Sequence, residues 1–534
     1  MLPLVDLTVG QLLHQTAQRC GTRTALRYQG QSWTYARMEE RVEAIARRLL
    51  ALGIRKGSHV GIWGEASAET VFTYYAIQLI GGVAVMINTS LEREELLAAL
   101  RLADVEYLCV GAFYKEKKDL GLLCGMLQTQ MALKAVWTDQ ENSDLASLPW
   151  LAEPVEEQTL REAETLVTPQ DTAVLLFTSG STSVPKAVMS NHYSRVNSGI
   201  QQAGDLQAGP EDKFCLVMPI FHCFCISVNL MAALAVGGCL CIPKDRHTVS
   251  ILDAIETCGC TVLSAVPTMY HAMISSPAFR PERVTMLRTG IIGGAYYPPE
   301  LFETIEHTLG FTLLSSLGQT ECTAGLTVCR MDDPLELRSR TVGRFMAHVE
   351  GKIADLDTGK TLPPGQRGEI CVRGYLVMQG YYNQPEQTAS ALDPDGWLHT
   401  GDLGILGEDG TITLDGRIWE LIIRGGENIS PREIEVALAR IPAVESCKVV
   451  GVPDDHYGEE ICACIQLKED QTLDAQEVRD FLAKHLAYYK VPRYVLFWAK
   501  LPLTSSGKVS IRLLKEELKE RLPQKGGEEA AIHR

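Results

Sequence analysis

The stretch Ala173-Val174-Leu175-Leu176-Phe177-Thr178-Ser179-Gly180-Ser181-Thr182-Ser183-Val184-Pro185-Lys186 carries an apolar strand, Ala173 to Phe177, into a loop of hydroxyl residues and glycine that closes on a lysine. Small residues let backbone N–H groups approach an anion, hydroxyls add donors, and Lys186 supplies positive charge. That chemistry suits phosphate. The lysine follows a proline, so this is not the G-x-x-x-x-G-K-[ST] loop. Taken alone, the stretch also fits a serine-rich surface turn.

Upstream, Thr34 to Gly53 reads as an amphipathic helix ending at glycine, and His59 to Trp63 as a short buried strand. Ala66 to Ile80 reads as helix and Gly82 to Ile87 as strand. Downstream, strand and helix alternate again through Phe214–Met218, Val228–Val236, Cys239–Pro243, Val249–Cys258 and Thr261–Ala265. This alternation predicts parallel sheets covered by helices. Past Met331 the texture changes. Between Gly351 and Asp415, turn signals at Asp357-Thr358-Gly359, Pro363-Pro364-Gly365, Asp395-Gly396 and Asp409-Gly410 suit an antiparallel barrel or small sheet. Helices are expected at Pro431–Ala439 and Ala475–Leu486, with a domain boundary near Gly416 and a disordered tail over Pro523–Arg534.

The chain has 534 residues, enough for more than one domain, with 46% hydrophobic and 22% charged residues. Its net charge of -16 argues against general nucleic-acid binding, which needs a basic footprint. The 16 cysteines are too dilute for a secreted disulfide scaffold and suggest a reducing compartment. Cys223/Cys225, Cys239/Cys241, Cys258/Cys260 and Cys462/Cys464 are spaced C-x-C. Zinc sites usually use C-x-x-C, so these pairs are expected to sit on strands and pack as small hydrophobes. Met1 to Gly21 has no signal-peptide pattern, and no run of roughly 18 or more apolar residues occurs, so a cytoplasmic protein without a transmembrane segment is expected.

Four further segments carry chemistry. In Ser315-Ser316-Leu317-Gly318-Gln319-Thr320-Glu321, a carboxylate beside a hydroxyl at a strand end could hold Mg²⁺, which prefers oxygen ligands. In Gly396-Trp397-Leu398-His399-Thr400-Gly401-Asp402-Leu403, an aspartate held between two turns could accept both hydroxyls of a ribose. Gly416-Arg417-Ile418-Trp419-Glu420 precedes Ile423-Arg424-Gly425-Gly426-Glu427-Asn428-Ile429. Leu503-Thr504-Ser505-Ser506-Gly507-Lys508-Val509 ends a loop on a lysine near the C-terminus.

With these segments in this order, the sequence resembles the adenylate-forming (AMP-binding) superfamily, which includes acyl-CoA synthetases, peptide-synthetase adenylation domains and firefly luciferase. The resemblance runs from Leu7 to Glu516. It implies an α/β fold: a large N-terminal domain (1–416) of two helix-covered mixed sheets with a small β-barrel subdomain near 340–415, then a small mobile α+β C-terminal domain (417–522). It implies that Thr178, Ser179, Gly180, Ser181, Thr182 and Lys186 hold ATP phosphates, and that Gly293, Gly294 and Ala295 lie along adenine. Gln319 and Thr320 would join the nucleotide site, Glu321 would take Mg²⁺, and Asp402 and Arg417 would take the ribose. Lys508 would bridge the carboxylate and the α-phosphate, and His222 would stand at the acyl entrance. Arg424, Gly425, Gly426 and Glu427 would face the site during thioester formation, after the C-terminal domain rotates about a hinge at Trp419. The acyl pocket would use Phe224, Cys225, Val228, Tyr296, Tyr297, Leu317 and Cys322, mostly apolar or aromatic and without an evident partner for an α-ammonium group.

The expected activity is therefore an ATP-dependent acyl-CoA ligase of fatty-acid and lipid metabolism. A hydrophobic acid, aliphatic or aromatic, becomes acyl-AMP and is then transferred to coenzyme A. The competing reading is a stand-alone adenylating enzyme that loads the phosphopantetheine thiol of an acyl-carrier protein; a luciferase-like oxygenase and a non-catalytic nucleotide or acyl-CoA binder stand further off. A homodimer is compatible with either leading reading. Departures from the family pattern are Ser183 and Ala187 where glycine is usual, Trp419 where Asp or Lys is usual, and Cys225 where glycine often follows the His222 segment. Ala187 would stiffen the backbone if its site needs positive φ.

Overall fold

The computed structural model describes residues 2–91, 93–111, 113, 133–138, 153–178, 185–295, 297–424, 427–454, 457–503 and 509–522, without the side chains of Trp419, Glu427 and Asn428. The chain divides into two compact units. The first comprises Met1–Lys352, Cys371–Thr400 and Gly407–Thr413; the second comprises Ile353–Ile370, Gly401–Leu406 and Leu414–Arg534.

The first unit holds a seven-stranded and a nine-stranded sheet. In the seven-stranded sheet, Thr172–Thr178 lies between Val83–Ile87, which it pairs in parallel, and Lys186–Asn191, which it pairs antiparallel. Gly380–Tyr381 adds an antiparallel edge on Lys186–Asn191. The nine-stranded sheet runs parallel through Cys239–Ile242, Lys213–Cys215, Val262–Leu263, Thr289–Gly293 and Thr312–Leu317, then ends antiparallel in Thr327–Val328 and Arg344–Phe345. Both sheets are thus mixed. Their central strands, such as Val83–Ile87 and Cys239–Ile242, are buried throughout, as strands covered on both faces must be.

Helices expected from periodicity form with short shifts at their ends. Tyr35–Ala51 is capped by Thr34, whose side chain accepts from the Arg37 N–H. Ala68–Leu79, Thr248–Cys258, Pro431–Leu438 and Ala475–Ala483 occupy the other expected positions. The helix His192–Asp205 starts at an Asn191 cap. Cys225–Met231 is a π-helix that runs on into the α-helix Ala232–Val236. Here the strand placement expected for C-x-C pairs fails: Cys225 opens the π-helix, and Cys258 ends an α-helix. Cys239/Cys241 and Cys462/Cys464 do lie on strands.

Residues 349–417 form a four-stranded sheet in the order Val349–Ala354, Arg367–Gly374, Leu398–Leu406, Ile412–Arg417. The second unit has a five-stranded sheet in which Gly458–Leu467 pairs with Val444–Asp454, Ile422–Arg424 and Tyr494–Trp498. Ile434, Leu438, Ile461, Ile465, Val478 and Leu482 fill its core. Among the described residues, no helix is long and apolar enough to cross a membrane.

Candidate active site

Thr178 and Lys186 are cross-strand partners, so the strands that flank the hydroxyl-rich loop close its two ends on each other. Ser179, Gly180, Ser181 and Thr182 lie outside the described residues, as does Ser183. Ala187 continues the strand with no positive φ, so the stiffening considered from sequence does not arise there.

Gly380–Tyr381 brings Tyr381 beside Val188 of the loop's return strand. The Lys186 ammonium stands 4.7 Å from the centroid of the Tyr381 ring. The Tyr381 hydroxyl donates to Glu321 Oε1 at 2.9 Å. Burial first, then the Glu321 charge, pushes the phenol well above its ordinary pKa, so it stays a donor. One tyrosine therefore joins the cationic end of the loop to the carboxylate of the Gly318–Glu321 segment.

That segment is a tight turn. A Cβ on Gly318 would fall 1.3 Å from the Ala324 carbonyl oxygen, so only glycine fits. Gln319 accepts at its carbonyl from the Ala324 N–H and sends its side-chain amide to the Thr400 carbonyl at 2.8 Å. Thr320–Cys322 form a 3₁₀ turn, and Thr323 and Ala324 follow with φ of 52° and 97°. Left-handed backbone at two successive non-glycine residues is costly and concentrates at functional sites. The Glu321 carbonyl accepts from the Met378 N–H, which ties the turn to the strand carrying Tyr381.

Thr320 Oγ1 donates to Cys223 Sγ at 3.6 Å, and Cys223 Sγ lies 3.7 Å from His222 Nδ1. His222 Nδ1 also accepts from the Phe224 N–H at 3.3 Å. Burial works against ionisation of Cys223, but His222, Thr320 and the Arg195 charge outweigh it and hold the thiol below its usual range. The structure thus brings Thr320 and His222 together through a cysteine. Gly293 ends its strand, and Gly294 follows with φ +81°; Ala295 is half-buried. Phe224, Cys225, Val228, Leu317 and Cys322 are buried, while half-buried Tyr297 shares a 2.5 Å hydrogen bond with Ser315 and stacks on Phe302. Tyr296 lies outside the described residues.

In the second unit, Asp402 Oδ1 meets Arg417 Nε at 2.8 Å. Asp402 is 2% exposed and sits within the strand Leu398–Leu406, which corrects the expectation of an aspartate between two turns. The Arg424 guanidinium pairs with the buried Glu460 at 2.7 Å and lies over the Tyr457 ring at 4.3 Å. Arg424 is the cross-strand partner of Glu427; Gly425 and Gly426 lie outside the described residues. Trp419 falls in the 3₁₀ turn Ile418–Glu420. There Glu420 accepts from Lys448, which also pairs with the buried Glu435 at 3.1 Å. Lys508 and the tail 523–534 are outside the described residues.

Sequence reasoning missed Tyr381 and Cys223. The doublet Tyr381-Tyr382 after Gly380 was the available signal for the first, an aromatic pair amid turn residues. The C-x-C spacing points to packing for Cys223, and its neighbour His222 is the signal for more.

The chain matches the AMP-binding enzyme family over residues 13–382 and the AMP-binding enzyme C-terminal domain over residues 433–508. It is 34% identical to a putative acyl-CoA synthetase, YngI, of Bacillus subtilis, covering 97% of this chain and 98% of that protein. It is 33% identical to the mitochondrial medium-chain acyl-CoA ligase ACSF2 of Bos taurus, covering 98% of this chain and 89% of that one. The crystal structure of ATP-bound MatB from Rhodopseudomonas palustris superposes with a TM-score of 0.84 at 26% identity, covering 96% of this chain and all (100%) of that one. The chain belongs to the AMP-binding enzyme family, in its acyl-CoA synthetase branch. It is an acid–thiol ligase: ATP and a carboxylic acid give an acyl-adenylate, and coenzyme A takes the acyl group as a thioester.

Proposed function

We propose that the acid is hydrophobic and of medium chain length, and that the Lys186–Tyr381–Glu321 arrangement holds the triphosphate end of ATP. The observation that carries this reading is the shared tyrosine, which keeps an ammonium and a carboxylate at one place. The donor set fits Mg²⁺. Glu321 Oε1 accepts from Tyr381, which leaves a hard carboxylate oxygen for a cation that binds through one or two carboxylates and phosphate oxygens. The ion would neutralise phosphate charge during attack. Lys186 would pair with the β- and γ-phosphates alongside Thr178, Ser179, Gly180, Ser181 and Thr182. Thr320 and Gln319 would orient the α-phosphate side, with Gly293, Gly294 and Ala295 along adenine. Asp402 would accept the ribose hydroxyls and Arg417 would fix that carboxylate.

In the first step the acid's carboxylate attacks the α-phosphate and pyrophosphate leaves. Two anions meet there, and Lys508 would offset their repulsion. In the second step the coenzyme A thiol attacks the acyl carbonyl and AMP leaves. Residues 417–522 would act as a mobile domain turning about Trp419, so that Arg424, Gly425, Gly426 and Glu427 replace Lys508. His222 would stand at the acyl entrance, with Phe224, Cys225, Val228, Tyr296, Tyr297, Leu317 and Cys322 around the chain. A cytoplasmic homodimer is the proposed setting. Medium chain length is supported by the name of the Bos taurus relative and by the apolar pocket set. The test is pyrophosphate release over acids of graded length, with and without coenzyme A. A maximum at medium length with coenzyme A thioester as product is expected. Acyl-AMP transferred only to a carrier-protein thiol would replace this reading with the carrier-loading one.

A further inference from the structure

Three helices of the first unit bring a histidine and three glutamates together. Val9–Cys20 carries His14, Tyr35–Ala51 carries Glu39 and Glu43, and Glu157–Thr165 carries Glu164. The middle helix packs against both of the others. Glu39 and Glu43 are one turn apart on it, so they share a face, where like charges repel. His14 Nδ1 meets Glu39 Oε1 at 2.6 Å, and its Nε2 meets Glu164 Oε1 at 3.5 Å. One ligating atom from each of His14, Glu43 and Glu164 lies within 4.8 Å of the other two.

A basic partner is present but does not balance the charge. Arg161 Nη2 meets Glu43 Oε1 at 2.8 Å, and its Nη1 meets both oxygens of Glu164 at 3.2 Å. Three inner carboxylates thus face one guanidinium, which leaves two negative charges around a neutral imidazole. Glu157, another Arg161 partner, stands on the exposed rim and adds to that surplus.

Two features fit a metal site better than a plain ion-pair network. The first is spacing. Zinc takes imidazole nitrogen and carboxylate oxygen at about 2.0–2.2 Å in a tetrahedron, so two of its ligands stand about 3.4 Å apart. His14 Nε2 and Glu164 Oε1 have that separation at 3.5 Å. It is longer than an ordinary N–H···O bond of about 2.7–3.2 Å. The second feature is the contact behind the ring. A metal-bound histidine almost always gives its other ring N–H to a carboxylate, which fixes the tautomer. Glu39 at Nδ1 does this for His14 and turns the Nε2 lone pair toward the other two carboxylates. The place is also open to an ion. The side chains of His14, Glu43 and Glu164 are 24%, 23% and 17% exposed, so zinc can reach them from solvent.

We propose that His14 Nε2, Glu43 and Glu164 bind one zinc(II) ion, with Glu39 orienting the imidazole and a water as fourth ligand. The ion offsets the two surplus charges. Arg161 keeps the carboxylate lone pairs that the metal does not use. The site clips the helix Val9–Cys20 to two helices that come later in the chain, and it shares no residue with the proposed ATP, acid and coenzyme A sites, so its role is structural. Without the ion, a proton on Nε2 fills the same gap.

The test uses the full chain, stripped of metal with a chelator that is then removed, with zinc alone as the probe and no ATP. Calorimetric titration of the wild type is expected to show one zinc site per chain, which His14→Gln and Glu164→Gln each lose. Glu39→Gln should keep the site and weaken it by about 10–10²-fold, the usual loss when the group behind a metal-bound histidine is removed. The wild-type melting temperature should rise with zinc concentration, because the ion binds the folded chain, and that of His14→Gln should not. Cobalt(II) in place of zinc should give the wild type the strong visible absorption of a four-coordinate ion. Far-ultraviolet circular dichroism checks that each variant is folded, and the wild-type cobalt spectrum stands whether or not they are. Absence of zinc binding by the wild type overturns the inference. A site of equal stoichiometry and affinity in His14→Gln overturns it too, because the ion then sits elsewhere, as does a cobalt spectrum of the six-coordinate aqua ion alone.

Discussion

Tyr381 touches two groups that stand far from it in the chain, Lys186 and Glu321. Its hydroxyl makes a hydrogen bond to a carboxylate, a class worth about 1.5–3 kcal/mol. Tyr381→Phe is therefore expected to lower kcat/KM for adenylation at limiting ATP by roughly 10–10²-fold, read as pyrophosphate release. An unchanged rate would show that Tyr381 does not position Glu321. His14 bears on stability rather than chemistry. Its Nδ1 meets Glu39 at 2.6 Å and its Nε2 meets Glu164 at 3.5 Å. The Glu164 hydrogen bond leads, burial opposes it, Glu39 adds to it, and the imidazole is raised from 6.5 to about 9. A group raised on folding binds its proton more tightly in the native state. The stabilisation is therefore complete below pH 6.5 and fades as pH rises through about 9. Melting temperatures between those limits should fall less with pH in His14→Gln than in the wild type, and parallel curves would refute the pairing.

The helix His192–Asp205 carries Arg195 and Ser198 and begins at Asn191, whose side chain accepts from the Ser194 N–H at 2.8 Å. Asn191→Ala should cost about 1 kcal/mol of stability, seen as a lower denaturant midpoint at unchanged slope; no change would mean the cap is replaced by solvent. Such local signals are what made elements readable. The amphipathic run ending at Gly53 predicted the helix Tyr35–Ala51, and the alternation of strand and helix patterns predicted the sheets of the first unit. The π-helix Cys225–Met231 was not readable, because an all-buried segment has no polar face to reveal its period. The sequence places Asp402 between two turns, yet it lies within a strand and pairs with Arg417. Tyr381 was missed because its position depends on pairing with Val188, a partner that no local pattern encodes. Thr320, Glu321 and His222 are singled out by their segments and by the family resemblance, while the Cys223 contact joining Thr320 to His222 depends on tertiary placement.

Across the whole chain, two family matches fall on 13–382 and 433–508, and the second unit contains the Asp402–Arg417 and Arg424–Glu460 pairs. The proposed two-step mechanism assigns Lys508 to adenylation and Arg424 to Glu427 to thioester formation. Lys508→Ala is then expected to lower acyl-AMP formation by roughly 10²–10³-fold while thioester formation from supplied acyl-AMP continues. Equal loss in both steps would contradict that division. The most direct test of the central claim is the product set of the purified chain with ATP, Mg²⁺ and a carboxylic acid. The account predicts pyrophosphate and acyl-AMP without coenzyme A, and AMP with acyl-CoA once coenzyme A is added. ADP and phosphate as products, or acyl-AMP that coenzyme A never consumes, would contradict it.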